Sequence, residues 1–376
     1  MERASRIQLR GLAVSLLAVI LSAGLVTAPV YSAGAALDAT PGPDEPSGGV
    51  IGPEYVPGFN PLTGLPIENP ESLGFKPNLV SLSNFPPHSR DRLAGMSMAS
   101  HVWETMMGGQ GMTRFQAIFY GDYLQRIDDL IEQAGEQDDF VIGPVRSVRL
   151  VYRDLKALYP DATLIGAGAS PEVGAQVGEA VRVYGENPQD LSSAGLDPQS
   201  LAGLASPGAN PSDYAGLMFD PRVPEGGSPG EDLALIYNLY NQVQWTYDPG
   251  SHSYLRAQDW ADGSGELRPI VDHLSGEQVA FPNVLVLFTD HRFANSAKTI
   301  MDIEVLYVRD RPGLLFRDGR YFEILWSTLG GKLQISDRQG HPLALRPGSS
   351  FFEVFSYESS WTPATRLVRW HSPPAP

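Results

Sequence analysis

The sequence predicts an α+β protein, and three observations lead there. Up to about residue 185, strand-like runs are spaced by helix-like ones. From Glu231 onward, short aromatic and β-branched runs follow one another with turn residues between them. These two textures are segregated by sequence half and do not alternate, which separates α+β from a doubly wound α/β arrangement. The 376 residues suffice for one large or two ordinary domains with a proper core. Low charge with abundant proline and glycine fits a loop-rich globular chain.

The N-terminal 35 residues read as an export signal. Arg3, Arg6 and Arg10 make a basic start, residues 11–26 are uncharged and apolar, and Ala33-Gly34-Ala35 gives a small-residue cleavage pattern. The alternative is an uncleaved anchor, because the uncharged stretch is long enough to span a bilayer. Either reading places the body outside the cytoplasm, secreted or associated with the cell envelope. Residues 36–58, rich in Pro, Gly, Asp and Glu, read as a flexible linker. An N-terminal folded unit is expected over residues 59–205, a linker over 206–230, a mainly antiparallel β unit over 231–358 and a loosely held tail over 359–376.

Within the first unit, residues 78–84 alternate and read as a strand stopped by Pro86-Pro87. Residues 96–107 suggest a short helix, residues 112–120 a strand carrying Arg114, and residues 124–133 a helix. The most distinctive stretch is 142–159. Gly143-Pro144 breaks what precedes it, and Val148, Val151, Tyr152, Leu155, Leu158 and Tyr159 then recur at helical spacing. That predicts an amphipathic helix opposite whose apolar face fall Arg146, Arg149, Arg153 and Lys156. Free N–H groups at the helix start and converging guanidiniums would make an anion site. The competing reading is a solvated basic face, or one paired with the acids between Asp128 and Asp139. A strand at 163–165 and a helix at 172–181 follow. Ser170-Pro171 between them reads as an N-cap and first-turn proline, with a ligand contact as the less conservative role for Ser170. In the second unit, strands are expected at 233–237, 243–247, 283–289, 299–308, 313–316, 321–327 and 351–357, with Asp318-Gly319 as a tight hairpin turn.

Composition excludes several chemistries. Without cysteine there are no disulfides, thiolate metal sites, cysteine nucleophiles or lipidated cysteine. The glycines fit neither a dinucleotide fingerprint nor a P-loop, so no cofactor is expected. The Asp272-His273 and Asp290-His291 neighbours point to opposite faces of a strand, and no metal-ligand spacing occurs, so no metal is expected either. A net charge of −16 disfavours nucleic acid, and membrane contact would run only through an uncleaved N-terminal segment.

Several motifs then occur in order: NPLTGLP at 60–66, MTRF at 112–115, IGPVRSVR at 142–149 and GASP at 168–171, followed by WTYD at 245–248, DHLSGEQ at 272–278, NVLV at 283–286 and LLFRDG at 314–319. Together they resemble the YerB-like lipoprotein family of bacteria over residues 59–357. The resemblance implies a two-part, layered β-β-α sandwich, exported and envelope-bound, and it carries over no catalytic role. Two departures stand out. The junction cysteine that would take a lipid is missing. Of a family pattern of three acids, only Glu104 survives, the others being replaced by Ser100 and by a residue within Gly108–Gly111.

The candidate cluster is therefore Glu104, Arg114, Arg146 and Arg149, with Asn84 at a strand end and Ser170 as possible additions. Two functions compete. One is a binding or scaffold module that takes an anionic small ligand or an envelope protein through its arginines. The other is an envelope hydrolase or transferase acting on glycan or peptide, with Glu104 as general acid or base.

Overall fold

The structure is a computed structural model that describes residues 49–134, 140–185, 187, 189–190 and 192–374. The export-like segment and the linker up to residue 48 lie outside the described residues. Strands β1 (Asn78–Leu82), β2 (His101–Met106), β3 (Thr113–Phe119) and β4 (Thr163–Gly166) come from the first half of the chain. From the second half come β5 (Asp232–Asn238), β6 (Asn241–Asp248), β7 (Ser253–Asp259), β8 (Asn283–Thr289), β9 (Arg311–Arg317), β10 (Arg320–Ser327) and β11 (Ser350–Ser356).

The larger sheet has eleven strands and runs through both halves, in the order β10-β9-β8-β11-β2-β3-β1-β4 between shorter edge strands. Strand β11 pairs in parallel with β2 on one side and with β8 on the other. A second sheet of seven strands is built around β7-β6-β5. The α+β class therefore holds, but the large sheet is mixed: β1 and β4 also pair in parallel. The described residues belong to one compact unit.

Several local expectations change. Residues 96–107 form a single 3₁₀ turn, Met96–Met98, and then β2. Every residue of β2 is buried because neighbours cover both faces of the sheet, so its apolar run does not alternate and mimics a helix. The helix expected from residue 144 onward is confined to α2 (Tyr152–Leu158), which follows α1 (Tyr123–Ala134). Before it, the chain lies along β1: Arg146 N donates to Ser81 O at 2.7 Å, Val145 bridges Leu82, and Val148 N donates to Gly168 O at 2.9 Å. Backbone groups already engaged with neighbouring strands cannot close helical i→i−4 bonds, and Val145 and Val148 suit the extended form. Of the strand expected at 299–308, only Met301–Ile303 forms, paired with His291–Phe293. The tail also differs from expectation. Leu367–Arg369 joins β5 in parallel and pairs with Ser360–Thr362, and Val368 is fully buried.

Other readings stand. Pro171 starts α3 (Pro171–Val177), and Ser170 Oγ accepts from Val173 N at 3.3 Å. Asp318 and Gly319 both take positive φ, 52° and 69°, as the two-residue turn between β9 and β10 requires. The NPLTGLP motif folds upon itself. Asn60 Oδ1 accepts from Leu62 N, Asn60 Nδ2 donates to Tyr120 O, and Gly64 supplies a positive φ against the Phe219 ring.

Candidate functional site

Strand alternation decides which candidates can meet. On β2, Glu104 and Thr105 point to opposite faces, and on β3 so do Arg114 and Phe115. In register, Glu104 lies opposite Phe115 and Thr105 opposite Arg114. Glu104 and Arg114 are thus on different sides of the large sheet, and the four-residue cluster anticipated from sequence splits in two.

The Glu104 side faces the second sheet. Glu104 Oε2 accepts from Arg256 Nη2 at 2.7 Å, and Arg256 Nη1 donates to Glu353 Oε1 at 2.9 Å. All three side chains are fully buried. Trp245 Nε1 donates to Glu353 Oε1 at 2.8 Å, and the Tyr237 hydroxyl to Glu353 Oε2 at 2.6 Å. Glu104 Oε1 accepts from Asn84 Nδ2 at 2.9 Å and from the Thr113 hydroxyl. The Arg256 guanidinium also sits within 5.2 Å of the Phe115, Trp245 and Phe351 ring centres. Burial, and then the charge of Glu104, push the Glu353 carboxyl up to about 8. Burial alone would lower the Arg256 pKa, but Glu104 and Glu353 outweigh it and the net shift is upward. Asn84 and Thr113 also line a surface cavity of about 210 Å³ with Arg90, Tyr240 and Asn241. Both oxygens of Glu104 are engaged in this network, so an acid–base role for it has no geometric support.

On the opposite face, Arg114 projects with Thr105, Gln116 and Ser81 toward the segment leading into α2. Arg114 is 1% exposed. Its Nη2 reaches only the Met107 sulfur, at 3.2 Å, which is a weak acceptor. Its Nε and Nη1 have no partner, and neither do Arg149 Nε or Gln116 Nε2. Arg149 and Arg146 lie within electrostatic reach and are half-buried. Burial, then the charges of Arg149 and Arg146, hold the Arg114 pKa well below the usual guanidinium range, and among the described residues no carboxylate opposes that shift. Burial likewise lowers the pKa of Arg149, followed by the charge of Arg146. The phenol of Tyr152 completes the group. Arg153 and Lys156 are occupied elsewhere: Arg153 pairs with Asp154 at 2.7 Å and Asp302 at 3.0 Å, and Lys156 donates to Val177 O.

The structure thus brings Arg114, Arg146 and Arg149 together, places Asn84 with Glu104 in the buried network, and leaves Ser170 exposed as a cap. Arg256, Glu353, Tyr237 and Trp245 were not anticipated. Glu353 did carry a signal, as a lone charge inside the apolar run Phe351–Phe355. Arg256 was masked because β7 inverts the usual pattern: Tyr254, Arg256 and Gln258 are buried, while Leu255 and Ala257 are partly exposed. Among the described residues, no group of three His, Asp or Glu side chains could hold a metal ion.

Comparison with known proteins agrees with this architecture. Residues 62–194 match the family described as protein of unknown function (DUF3048), N-terminal domain, and residues 233–352 match its C-terminal domain. No curated protein matches the chain. The crystal structure of YerB protein from Bacillus subtilis is similar in fold, with a TM-score of 0.58 and 22% identity over 79% of this chain and 96% of that one. The chain belongs to the YerB-like family, composed of the N- and C-terminal domains of unknown function that these matches describe.

Proposed function

We propose that this protein is an exported anion-binding module whose site is formed by Arg114, Arg149 and Arg146. One observation carries the reading. Arg114 is buried with two donor nitrogens unpaired, beside a second arginine that also lacks a partner at Nε, and among the described residues no carboxylate offsets them. Of the basic side chains, a guanidinium is the least able to shed this cost by giving up its proton. An isolated buried charge is expensive, and a bound anion removes both the unpaired donors and the uncompensated charge. The helix side of the large sheet would form the binding face of a β-β-α stack. Export is supported by the basic and apolar N-terminal sequence with its small-residue junction. An anionic envelope component, small ligand or protein, is the expected partner.

The test is a thermal-shift and calorimetric titration of the full-length chain with inorganic phosphate, sulfate, acetate and succinate, beside R114M and R149M. Saturable stabilisation of about 2.7 kcal/mol at a hundredfold excess over Kd is expected. It should vanish in R114M, while ligand-free R114M melts at or above the wild-type temperature because a buried unpaired charge has been removed. An R114M variant that is strongly destabilised without ligand, together with no response of the wild type to any anion, would show the arginine to be a structural group.

A further inference from the structure

We infer that the anion this site takes is a doubly charged tetrahedral group of the phosphate-monoester class, and that Gln116 is the residue that distinguishes it from a carboxylate. This rests on the anion-binding reading and adds the chemistry of the ligand to it.

The argument starts from the donors. Arg114 Nε, Arg114 Nη1, Arg149 Nε and Gln116 Nε2 are four nitrogens without partners, and each offers only N–H. Arg114 and Gln116 project from the same face of β3, two residues apart, so about 7 Å separates their attachment points along the strand. Gln116 Oε1 accepts from the Thr105 hydroxyl at 3.2 Å, which fixes the amide with its N–H₂ free. The Tyr152 phenol and Ser81 stand on the same side. A planar carboxylate presents two oxygens in one plane and pairs fully with a single guanidinium fork. A phosphoryl group presents three oxygens in different directions, which suits donors reaching from a strand and from the opposing segment together.

Charge points the same way. Arg114 and Arg149 are two cations with no carboxylate among the described residues to offset them. A carboxylate or a phosphate diester brings one negative charge, whereas a phosphate monoester near neutral pH brings close to two. Exposure then orients the ligand. The innermost arginine is sealed and Arg146 and Arg149 are half-buried, so the phosphoryl group faces Arg114 and the esterified substituent leaves on the Arg146 side.

The experiment titrates the full-length chain with inorganic phosphate, glycerol phosphate, sulfate, acetate and succinate at pH 7.5 and pH 5.5. Phosphate, glycerol phosphate and sulfate should bind at least about tenfold more tightly than acetate or succinate. Glycerol phosphate affinity should fall about fourfold at pH 5.5, as the second ionisation of a phosphate monoester near pH 6 is reversed, while sulfate affinity stays constant. Q116L, which keeps the arginines, should weaken phosphate about tenfold and leave acetate unchanged. Its melting temperature without ligand checks that the fold is intact. Sedimentation with phosphatidate vesicles, competed by glycerol phosphate, separates a lipid headgroup from a soluble ester, and binding of either supports the inference. Succinate or acetate binding as tightly as phosphate, or a Q116L variant indifferent between them, overturns the inference and leaves the anion-binding reading standing. No response to any of the anions overturns both.

Discussion

Arg256 sits between two carboxylates that share its positive charge inside a fully buried interface. With Glu104 and Glu353 both ionised, the triad would carry one uncompensated negative charge. Burial resolves this by holding the Glu353 proton up to about 8. Removing the cation strands both acids, so R256M is expected to cost about 3–5 kcal/mol in urea unfolding, far more than a loss of packing alone. A pH dependence follows. Folded Glu353 keeps its proton to about 8 against an ordinary value of 4.5, so the folded state binds more protons than the unfolded state between those limits. Stability from this group therefore declines as pH rises through that window. His101 and His291 act in the opposite sense. Burial lowers both from 6.5 to about 4, so each adds stability as pH climbs from about 4 to 6.5 and nothing further above that. Between pH 6.5 and 8, Glu353 acts alone among the three. The urea midpoint of E353Q, measured against wild type across that interval, should lack the wild-type decline. Parallel pH profiles for the two proteins would show that Glu353 is ionised throughout.

At the scale of elements, the segment before α2 shows what could and could not be read from the chain. Its apolar positions and its arginines were legible, and two of its three guanidiniums, those of Arg146 and Arg149, do come within electrostatic reach of Arg114 on the face that also carries Thr105 and Gln116. The helix around them was not, because Ser81, Gly168 and Ala194 capture the backbone of Val145, Arg146 and Val148, and those partners are long-range. The same holds for β2, whose burial on both faces erases alternation, and for β7, whose inward face is polar. Local signals survived where local chemistry suffices, as at the Asp318-Gly319 turn and the cap of α3. Ser170 tests the distinction between cap and ligand. S170A removes one acceptor from the first turn of α3 and should cost about 1 kcal/mol, within a range of roughly 0.5–2, in chemical denaturation. Anion affinity should not change. A loss of affinity at unchanged stability would instead place Ser170 in the binding site.

At the scale of the molecule, the two family domains are joined by more than a connecting chain. Strand β11, from the C-terminal part, lies between β2 of the N-terminal part and β8 of its own, in register with both. Phe351, Phe352, Val354 and Phe355 on it are fully buried, and Glu353 ties it to Arg256 in the second sheet. Burying four such apolar side chains contributes about 6–12 kcal/mol on transfer grounds. That is comparable with the whole net stability of an ordinary fold, about 5–15 kcal/mol. Neither part should therefore persist alone. Calorimetry of the full chain is expected to show one transition, with calorimetric and van't Hoff enthalpies in agreement. A chain ending at residue 349 should lose cooperative melting altogether, since β2 and β8 would each expose an unpaired edge and the Arg256 triad would lose one acid. If the shortened chain still melted cooperatively at a lower temperature, the N-terminal sheet would be self-sufficient. The strand between the halves would then be a docking element and no longer a shared core.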